Sequence, residues 1–439
     1  MRVFNLIWAG QAVSLIGTSM TTFGIGVWVF ATTGSPTAFT TLIMAGSLPG
    51  LLTLPFAGVI TDRWDRRRVM LLSDVGTAAG PLVLLTLNSA GMLQVWHLYL
   101  MVAISAVFKA FQWPAFSSLV PQLVPKDQLS RANGRVGLAE AGGMVFGDLL
   151  GGLLYGLNGL NGLLLADLST FAVALCTTLM SYRLRPAIPP VRPQGAQRRP
   201  IRSEMAEGWR FIRQRRGLLG LLVFFAFYNL MMEMALVLVA PLVLSSHQPS
   251  TLGVINAVGA VGMIAASGVM SVTRQPRHLV RAILAVAVLH AFLLLGAGVT
   301  HGAPVLLAIV MFGVLAGYAV TNAVTPTVWQ RKTPPEVQGR VFSIRRLLAW
   351  SADPIAFGIA GPLTEFVGTP LANGPLADSA GPITGSGVGG GIAVVFLLSG
   401  VLLLVVVACV PRVVRRLEQE LPDAVGKDET ASPVAATPY

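Results

Sequence analysis

Long apolar runs follow one another along almost the whole chain, and they constrain its fold more than any other feature. A membrane-crossing helix needs about 20 mainly apolar residues. Only 11% of the residues are charged, against about 25% in soluble domains, so lipid must surround most of the chain. Because the runs are continuous and do not alternate in polarity, they predict helices and not the strands of a barrel. The predicted spans, numbered 1 to 12, are Val3–Ala31, Ala38–Ile60, Val69–Ala90, Leu98–Ser118, Ala132–Leu157, Gly162–Tyr182, Leu218–Leu244, Thr251–Val272, Leu279–Thr300, Ala303–Thr325, Val341–Val367 and Gly390–Val410.

Lys and Arg are distributed unevenly over the connections between these spans. Of the 31 such residues, only Lys109 is predicted to lie deep inside a span. The others lie at the N-terminus, in alternate connections and the span ends beside them, or in the C-terminal tail. The remaining connections contain no Lys or Arg. The positive-inside rule therefore predicts that both termini are cytoplasmic, and the net charge of +12 calls for no nucleic-acid partner.

Three short landmarks recur about 210 residues apart, which indicates an internal repeat. The pairs are Gly58-Val-Ile-Thr with Gly268-Val-Met-Ser, Pro114 with Pro326, and Gly134-Arg-Val with Gly339-Arg-Val. Each repeat holds an even number of spans, so the two run in the same direction. We therefore predict an all-α integral membrane protein of twelve transmembrane helices in two parallel six-helix repeats.

Composition places the domain boundaries within this pattern. Residues 1–182 form the predicted N-terminal six-helix bundle, and residues 217–411 form the C-terminal one. Residues 183–216 are a cytoplasmic linker rich in Arg and Pro, whose part from Ser203 to Arg216 is predicted to form a short interfacial helix. Residues 412–439 are predicted to be a disordered cytoplasmic tail.

Several classes of function are disfavoured by the residues present. Cys176 and Cys409 both lie in apolar spans, so no disulfide framework is expected, and the five His show no metal-ligand spacing. The one Gly-Lys pair, at Gly426, is followed by Asp428 and not by the Ser or Thr of a phosphate-binding loop. We therefore expect no enzyme activity, no metal and no cofactor, and an ion gradient as the energy source.

The segment from Gly58 to Arg68 resembles the signature loop between helices 2 and 3 of the major facilitator superfamily. It has a Gly, then Asp-Arg, then a basic cluster, at the expected place in the topology. The resemblance implies a conformational latch, with Asp62 facing the start of helix 11, where the helix dipole favours a carboxylate. Asp127 and Asp74 are possible partners of the arginines. The alternative is that these charges only hold the orientation of the chain. The implied latch residues are Gly58, Asp62, Arg63, Arg66 and Arg67.

In span 4, Lys109-Ala-Phe-Gln112-Trp113 resembles the Arg-x-x-Gln-Gly element that the family's exporters associate with proton coupling. Lys stands in place of Arg and Trp113 in place of Gly. Independently of the resemblance, a cation in the middle of a span is costly unless it is paired or hydrated, so it is functional by default. The alternative is a structural ion pair that lines the bundle.

In span 5, a glycine series resembles the family's antiporter signature Gly-x-x-x-Gly-Pro-x-x-Gly-Gly. Its glycines allow helices to approach closely, and Asp148 occupies the position of the expected Pro, so the usual kink residue is absent. The glycines, predicted to serve helix packing, are Gly143, Gly147, Gly151 and Gly152.

Six acidic residues lie within spans, where a carboxylate is expensive unless it has a role. Asp148 and Glu233 are placed deepest and are the best sites for a proton or a substrate cation, although plain ion pairs are an equal alternative. Asp167 resembles a polar position of the same branch of the family, and we group it with Lys109 and Gln112 as a proton-coupling or substrate residue. The other three acids, predicted to be structural or paired near the cytoplasmic side, are Asp74, Glu140 and Asp353.

The end of span 4, from Trp113 to Asn133, resembles the macrolide-efflux and enterobactin-exporter branch of the superfamily. This resemblance implies a monomeric, multi-pass exporter in the inner membrane of a bacterium, which moves an amphiphilic antibiotic, siderophore or peptide against inward proton flow by alternating access. An importer or facilitator of a small solute, a lipid-moving protein and a membrane sensor remain alternatives. The predicted pathway residues are Asn5, Gln11, Lys109, Gln112, Phe227, Tyr228, Asn229, Glu233 and Asn322.

Overall fold

The computed structural model describes residues 2–125, 128–184, 201–273, 276, 278–300, 302–374 and 384–420, and this part of the chain is helical without a strand. The π-helical turn Thr364–Gly368 joins α11 to α12. The helices are α1 (Arg2–Thr33), α2 (Pro36–Arg63), α3 (Arg66–Ser89), α4 (Val95–Leu123), α5 (Leu129–Leu184), α6 (Ile201–Arg213), α7 (Arg216–Leu244), α8 (Pro249–Val272), α9 (Leu279–Gly298), α10 (Pro304–Lys332), α11 (Pro335–Leu363), α12 (Thr369–Asn373) and α13 (Gly387–Glu420).

Eleven helices in the described ranges are long and apolar enough to cross a membrane, and one of them crosses twice. That helix is α5, which has 56 residues and breaks at Gly159, where φ is 60° and ψ is −159°. Only glycine adopts this backbone conformation readily, so the chain turns there and residues 129–158 and 160–184 form two arms. The chain therefore makes twelve crossings, which confirms the predicted fold class.

Helix ends follow from local sequence. The side chain of Ser35 accepts a hydrogen bond from the backbone N–H of Ala38 and caps α2. Asp65 caps α3 by accepting from the backbone N–H groups of Arg67 and Arg68. Since α3 begins directly after this cap and α2 continues to Arg63, the connection between the two helices has only two residues. The end of α2 therefore includes positions that were predicted from the sequence to lie in a loop.

Within the N-terminal half, α1 lies against the second arm of α5 along a row of glycines spaced seven residues apart. A Cβ atom at Gly10 would lie 1.9 Å from Thr177 Oγ1, and one at Gly17 would lie 2.0 Å from Thr170 Oγ1. One at Gly24 would lie 2.2 Å from Leu163 Cδ1. Side chains of α5 fill the space beside each glycine and leave no room for a side chain on this face of α1, so the two helices pack closely.

In the segment that links the two halves along the chain, α6 packs on the start of α11. Glu207 forms a 2.6 Å ion pair with Arg340, Gly208 lies close to the Arg340 carbonyl, and Ile212 is fully buried. A helix therefore occupies the stretch predicted as interfacial. The last helix, α13, continues to Glu420 and so extends beyond the predicted end of the C-terminal bundle at residue 411. Residues 185–200 of the predicted linker and 421–439 of the predicted tail lie outside the described residues.

Candidate functional site

The two halves of the bundle touch at one end, which we call the uncharged end because its connections contain no Lys or Arg. The other end, where α1 begins, is called the basic end. At the uncharged end α11 lies on α2. A Cβ atom at Gly361 would lie 2.3 Å from Thr40 Oγ1. Glu365 accepts hydrogen bonds from the Ser35 hydroxyl and, at 3.2 Å, from the Thr37 backbone N–H.

The second contact between the halves joins the first arm of α5 to α8. A Cβ atom at Gly152 would lie 2.8 Å from the Pro249 carbonyl oxygen, and one at Gly253 would lie 2.7 Å from the Asp148 carbonyl oxygen. At the same level, Asn256 Nδ2 donates to Asp148 Oδ2 at 2.8 Å. Asp148 therefore carries a side-chain bond between the halves, in addition to the backbone contact.

At the basic end the same helices stand apart. Among the described residues, no heavy atom lies within 4 Å of a Cβ atom placed at Gly134 or Gly137 of α5, or at Gly268 of α8. Large apolar side chains there are exposed, including Phe56 of α2 at 67% and Leu138 of α5 at 70%. The contacts described between the halves therefore lie toward the uncharged end, which we call closed, and none is made at these glycine positions of the basic end, which we call open.

Lys109 and Asp167 line a mainly apolar cavity of about 210 Å³ inside the N-terminal half. Asp167 is 1% exposed, and its carboxylate interacts electrostatically with the Lys109 ammonium. Gly17 of α1 makes room for this carboxylate, because a Cβ atom there would lie 2.8 Å from Asp167 Oδ1. The structure thus brings two residues that lie 58 positions apart in the sequence to the same cavity and places opposite charges within the bundle.

Gln112 belongs to a different cluster, centred on Asp74. Gln112 Nε2 donates to Asp74 Oδ1 at 2.8 Å and to Gln11 Oε1 at 2.8 Å, and Gln11 Nε2 donates to Asp74 Oδ2 at 3.1 Å. Asp74 is 2% exposed. The carboxylate, which the sequence suggested as a partner of the latch arginines, is held by two neutral amides from α1 and α4.

In the C-terminal half, Glu233 accepts a 3.1 Å hydrogen bond from the Tyr318 hydroxyl. Tyr318 packs against the rings of Tyr228 and His290. The Tyr228 hydroxyl is 2.6 Å from His290 Nδ1, and His290 Nε2 is 3.0 Å from the Val314 carbonyl oxygen. Because a carbonyl only accepts, Nε2 carries the proton and Tyr228 donates to Nδ1. His290 and Tyr318 were missed from the sequence, where a lone His and a lone Tyr in apolar spans carry no signal.

Of the predicted latch, the backbone of Gly58, Asp62 and Arg63 is helical. The side chains of Asp62 and Arg63 lie outside the described residues, as does Asp127. Arg67 is buried, donates to the Ser181 carbonyl oxygen at 3.2 Å and lies over the Tyr182 ring. Arg67 therefore joins α3 to the end of α5, inside the N-terminal half.

The glycines of span 5 face two neighbours. Gly143, Gly147 and Gly151 lie against α1, with a Cβ atom at Gly147 placed 2.2 Å from Ser19 Cβ, whereas Gly152 lies against α8.

Of the predicted pathway residues, Asn229 and Asn322 line a second cavity, in the C-terminal half. Asn5 instead contacts the Arg135 guanidinium at the basic end, and Phe227 is 49% exposed.

Comparison with known proteins assigns this chain to a family. The profile of the Major Facilitator Superfamily matches residues 7–356. The chain belongs to this superfamily. The superfamily assignment agrees with the two-half bundle and with the resemblance found in the sequence. Superfamily members are transporters and not enzymes, so the chain is a multi-pass membrane transporter.

Two curated relatives in the superfamily are efflux proteins. Macrolide efflux protein A of Streptococcus pyogenes is 27% identical over 372 residues, which cover 83% of this chain and 90% of the relative. Multidrug efflux pump Tap of Mycolicibacterium fortuitum is 27% identical over 354 residues, which cover 76% and 82%.

Solved structures of superfamily transporters share the fold. A bacterial homolog of the human lysosomal transporter Spinster, inward-facing and unoccupied, superposes with a TM-score of 0.68 at 15% identity and covers 96% of this chain and 98% of the homolog. The POT family transporter PepTSo superposes with a TM-score of 0.70 at 11% identity, and the match covers 95% of this chain and 99% of PepTSo. At these identities the likeness concerns the fold alone.

Proposed function

We propose that this transporter exports an amphiphilic small molecule, such as an antibiotic, a siderophore or a peptide, in exchange for protons. It would act as a monomer in the inner membrane of a bacterium, with both termini in the cytoplasm. The efflux names of its relatives support the direction of transport. The positive-inside rule assigns the basic end to the cytoplasm, so the open side would receive substrate from the cell.

The observation that carries proton coupling is the bond between Asp148 and Asn256 at the contact between the halves. An ionised carboxylate accepts a stronger hydrogen bond than a neutral carboxyl group does. Loss or gain of a proton at Asp148 would therefore change the strength of a contact that must open when access alternates. Its bonding partner is a neutral amide, so a proton can discharge the site without leaving a cation unpaired.

Three further groups have supporting roles in this proposal. The Lys109–Asp167 pair places opposite charges that can exchange a proton or bind a charged substrate group within the N-terminal half. Glu233, bonded to the Tyr318 hydroxyl, offers a second carboxylate in the C-terminal half. Gln112 would act through Asp74 by fixing the helices around the pathway.

The test is transport by purified protein in proteoliposomes with an imposed pH gradient, using a macrolide, a siderophore and an amphiphilic dye as substrates. Asp148→Asn keeps the side-chain shape and removes the titration, so we expect binding to persist and gradient-dependent transport to be lost. Lys109→Ala and Glu233→Gln identify which further groups take part. Glu207→Gln, which alters a partly exposed ion pair on α6, is the matched control and should transport normally.

Other outcomes would replace the proposal. Wild-type transport that ignores the gradient, and is unaffected by all three substitutions, would show a facilitator. Movement of labelled lipids across the bilayer without a gradient would show a lipid-moving protein, and gradient-driven uptake in the opposite direction would show an importer.

A further inference from the structure

A second cavity, of about 390 Å³, lies in the C-terminal half between α7, α10 and α11. Its wall combines aromatic faces from Phe225, Tyr228 and Trp350 with the amide side chains of Asn229 and Asn322. Ligand sites commonly join apolar walls with a few polar groups that fix orientation. The composition of the wall therefore suits an amphiphile, and its polar groups indicate which kind.

Three buried hydrogen-bond donors converge beside this cavity. They are Thr325 Oγ1, Trp329 Nε1 one helical turn further along α10, and Arg345 Nη1 on α11. Within the part of the chain that the structure describes, none of the three has a hydrogen-bond partner. Thr325 and Arg345 line the cavity, and the Arg345 guanidinium lies 6.0 Å from the Trp329 ring. A buried donor without an acceptor is costly, so this place is suited to a ligand that supplies acceptors.

The two charged side chains that line the cavity have one sign, and a carboxylate, that of Glu233, lies behind the wall, bonded to the lining residue Tyr318. Arg345 and Arg346 both line it, and the wall includes no carboxylate from the described residues. Arg345 lies 5.6 Å from the Phe342 ring, and Arg346 lies 4.0 Å from the Trp350 ring. Aromatic faces hold the guanidinium groups in position and leave their N–H edges for an anion. The planar fork of Arg matches the oxygens of carboxylate and phosphate.

We propose that this cavity binds the anionic group, a carboxylate or a phosphate, of an amphiphilic molecule. Arg345 and Thr325 donate to the anion, and the aromatic side chains of α7 and α11 contact the apolar part. The inference names a substrate class and rests on the proposed function for the ligand's route through the protein. Binding itself needs no gradient, and the anion can belong to a soluble molecule or to a lipid headgroup.

Calorimetric titration of the transporter in phosphatidylcholine nanodiscs tests the site with two probes of equal size. One is 1-naphthaleneacetate, an amphiphilic anion, and the other is its neutral amide. We expect the anion to bind wild type more tightly than the amide. Arg345→Gln should weaken binding of the anion by about tenfold to a hundredfold, and Thr325→Val by about twofold to tenfold. Arg345→Lys keeps the charge without the fork and should be intermediate.

The matched control is Arg281→Gln, because Arg281 is exposed on α9 and does not line the cavity. Amide binding should fall far less than anion binding in every variant, and its persistence also reports that each variant is folded. Equal affinity of wild type for the anion and the amide, or an unchanged affinity of Arg345→Gln for the anion, would overturn the proposal.

Nanodiscs that contain phosphatidylglycerol distinguish the two sources of the anion. If phosphatidylglycerol competes with 1-naphthaleneacetate in wild type but not in Arg345→Gln, the site binds a lipid headgroup. If phosphatidylglycerol does not compete in wild type, the site binds a soluble molecule. Because these measurements use no gradient, a failed efflux assay with intact binding refutes proton-driven export and leaves the anion site standing.

Discussion

Gly361→Ala should disfavour the arrangement in which the uncharged end is closed. The added Cβ atom would lie 2.3 Å from Thr40 Oγ1, 2.5 Å from Thr37 Cα and 2.9 Å from the Pro36 carbonyl oxygen. Ordinary contacts between carbon atoms are about 3.5–4.0 Å. Because two of these three atoms belong to the backbone, a rotamer change cannot relieve the overlap, and α2 and α11 must separate by about 1 Å.

The magnitude follows from the cost of overpacking, which is about 1–3 kcal/mol for one extra methyl group in a well-packed contact. The methyl group collides only while α2 and α11 are together, so nearly all of this cost falls on the closed arrangement. A difference of that size changes a two-state population ratio by about 5-fold to 150-fold. A wild-type protein that is mostly closed at the uncharged end should therefore become substantially open there.

Pulsed electron–electron double resonance between spin labels at Ala90 and Val305 measures this opening. Both residues lie at the uncharged end, one in each half, and the two native cysteines are first replaced. We expect Gly361→Ala to add a population at longer distance. Gly358→Ala, whose Cβ would meet only the flexible Met44 Sδ at 3.2 Å, is the matched control. A wild-type distance distribution in Gly361→Ala would refute the reasoning.

Three further outcomes follow from contacts described above. Glu365→Ala removes the acceptor of the Ser35 hydroxyl, so hydrogen–deuterium exchange at the start of α2 should rise, and unchanged exchange would speak against this contact between the halves. Gln112→Leu leaves Asp74 Oδ1 without its donor. The expected loss of about 1–3 kcal/mol should lower the Tm of the detergent-purified protein, and a wild-type Tm would show that the bond contributes little. Glu207→Gln breaks an ion pair that is partly exposed. It should cost less than about 1 kcal/mol, and a Tm shift of many degrees would contradict this.

The crossings could be predicted because the bilayer allows few alternatives. A chain that cannot satisfy its backbone with water must form helices there, so twelve apolar runs suffice to give twelve crossings. Even the double crossing of α5 follows the sequence, since the predicted spans 5 and 6 end and begin on either side of Gly159. The end of α13 was harder to predict from the sequence, because a charged sequence such as that after Val410 is compatible with a helix or with a tail.

The site was only partly predictable, because it depends on contacts between distant helices. A charge such as Lys109 stands out in an apolar span by its cost alone. The Asp167 partner, however, depends on how α4 and the second arm of α5 pack. Likewise, Tyr228 and His290 are 62 residues apart and become a pair only because the fold of the C-terminal half brings α7 and α9 within reach of each other. No local pattern encodes such a pair.

The spacing of Gly10, Gly17 and Gly24 along α1 has a mechanical consequence. Because side chains of α5 fill the space beside all three glycines, α1 cannot slide along the second arm of α5 without colliding with them. α1 and the second arm of α5 must therefore travel as a single rigid piece during any change of access. For this pair of helices, movement is left to the surfaces where the halves meet, α2 with α11 and the first arm of α5 with α8. A compound bound between those surfaces would stop the cycle without deforming the α1–α5 pair.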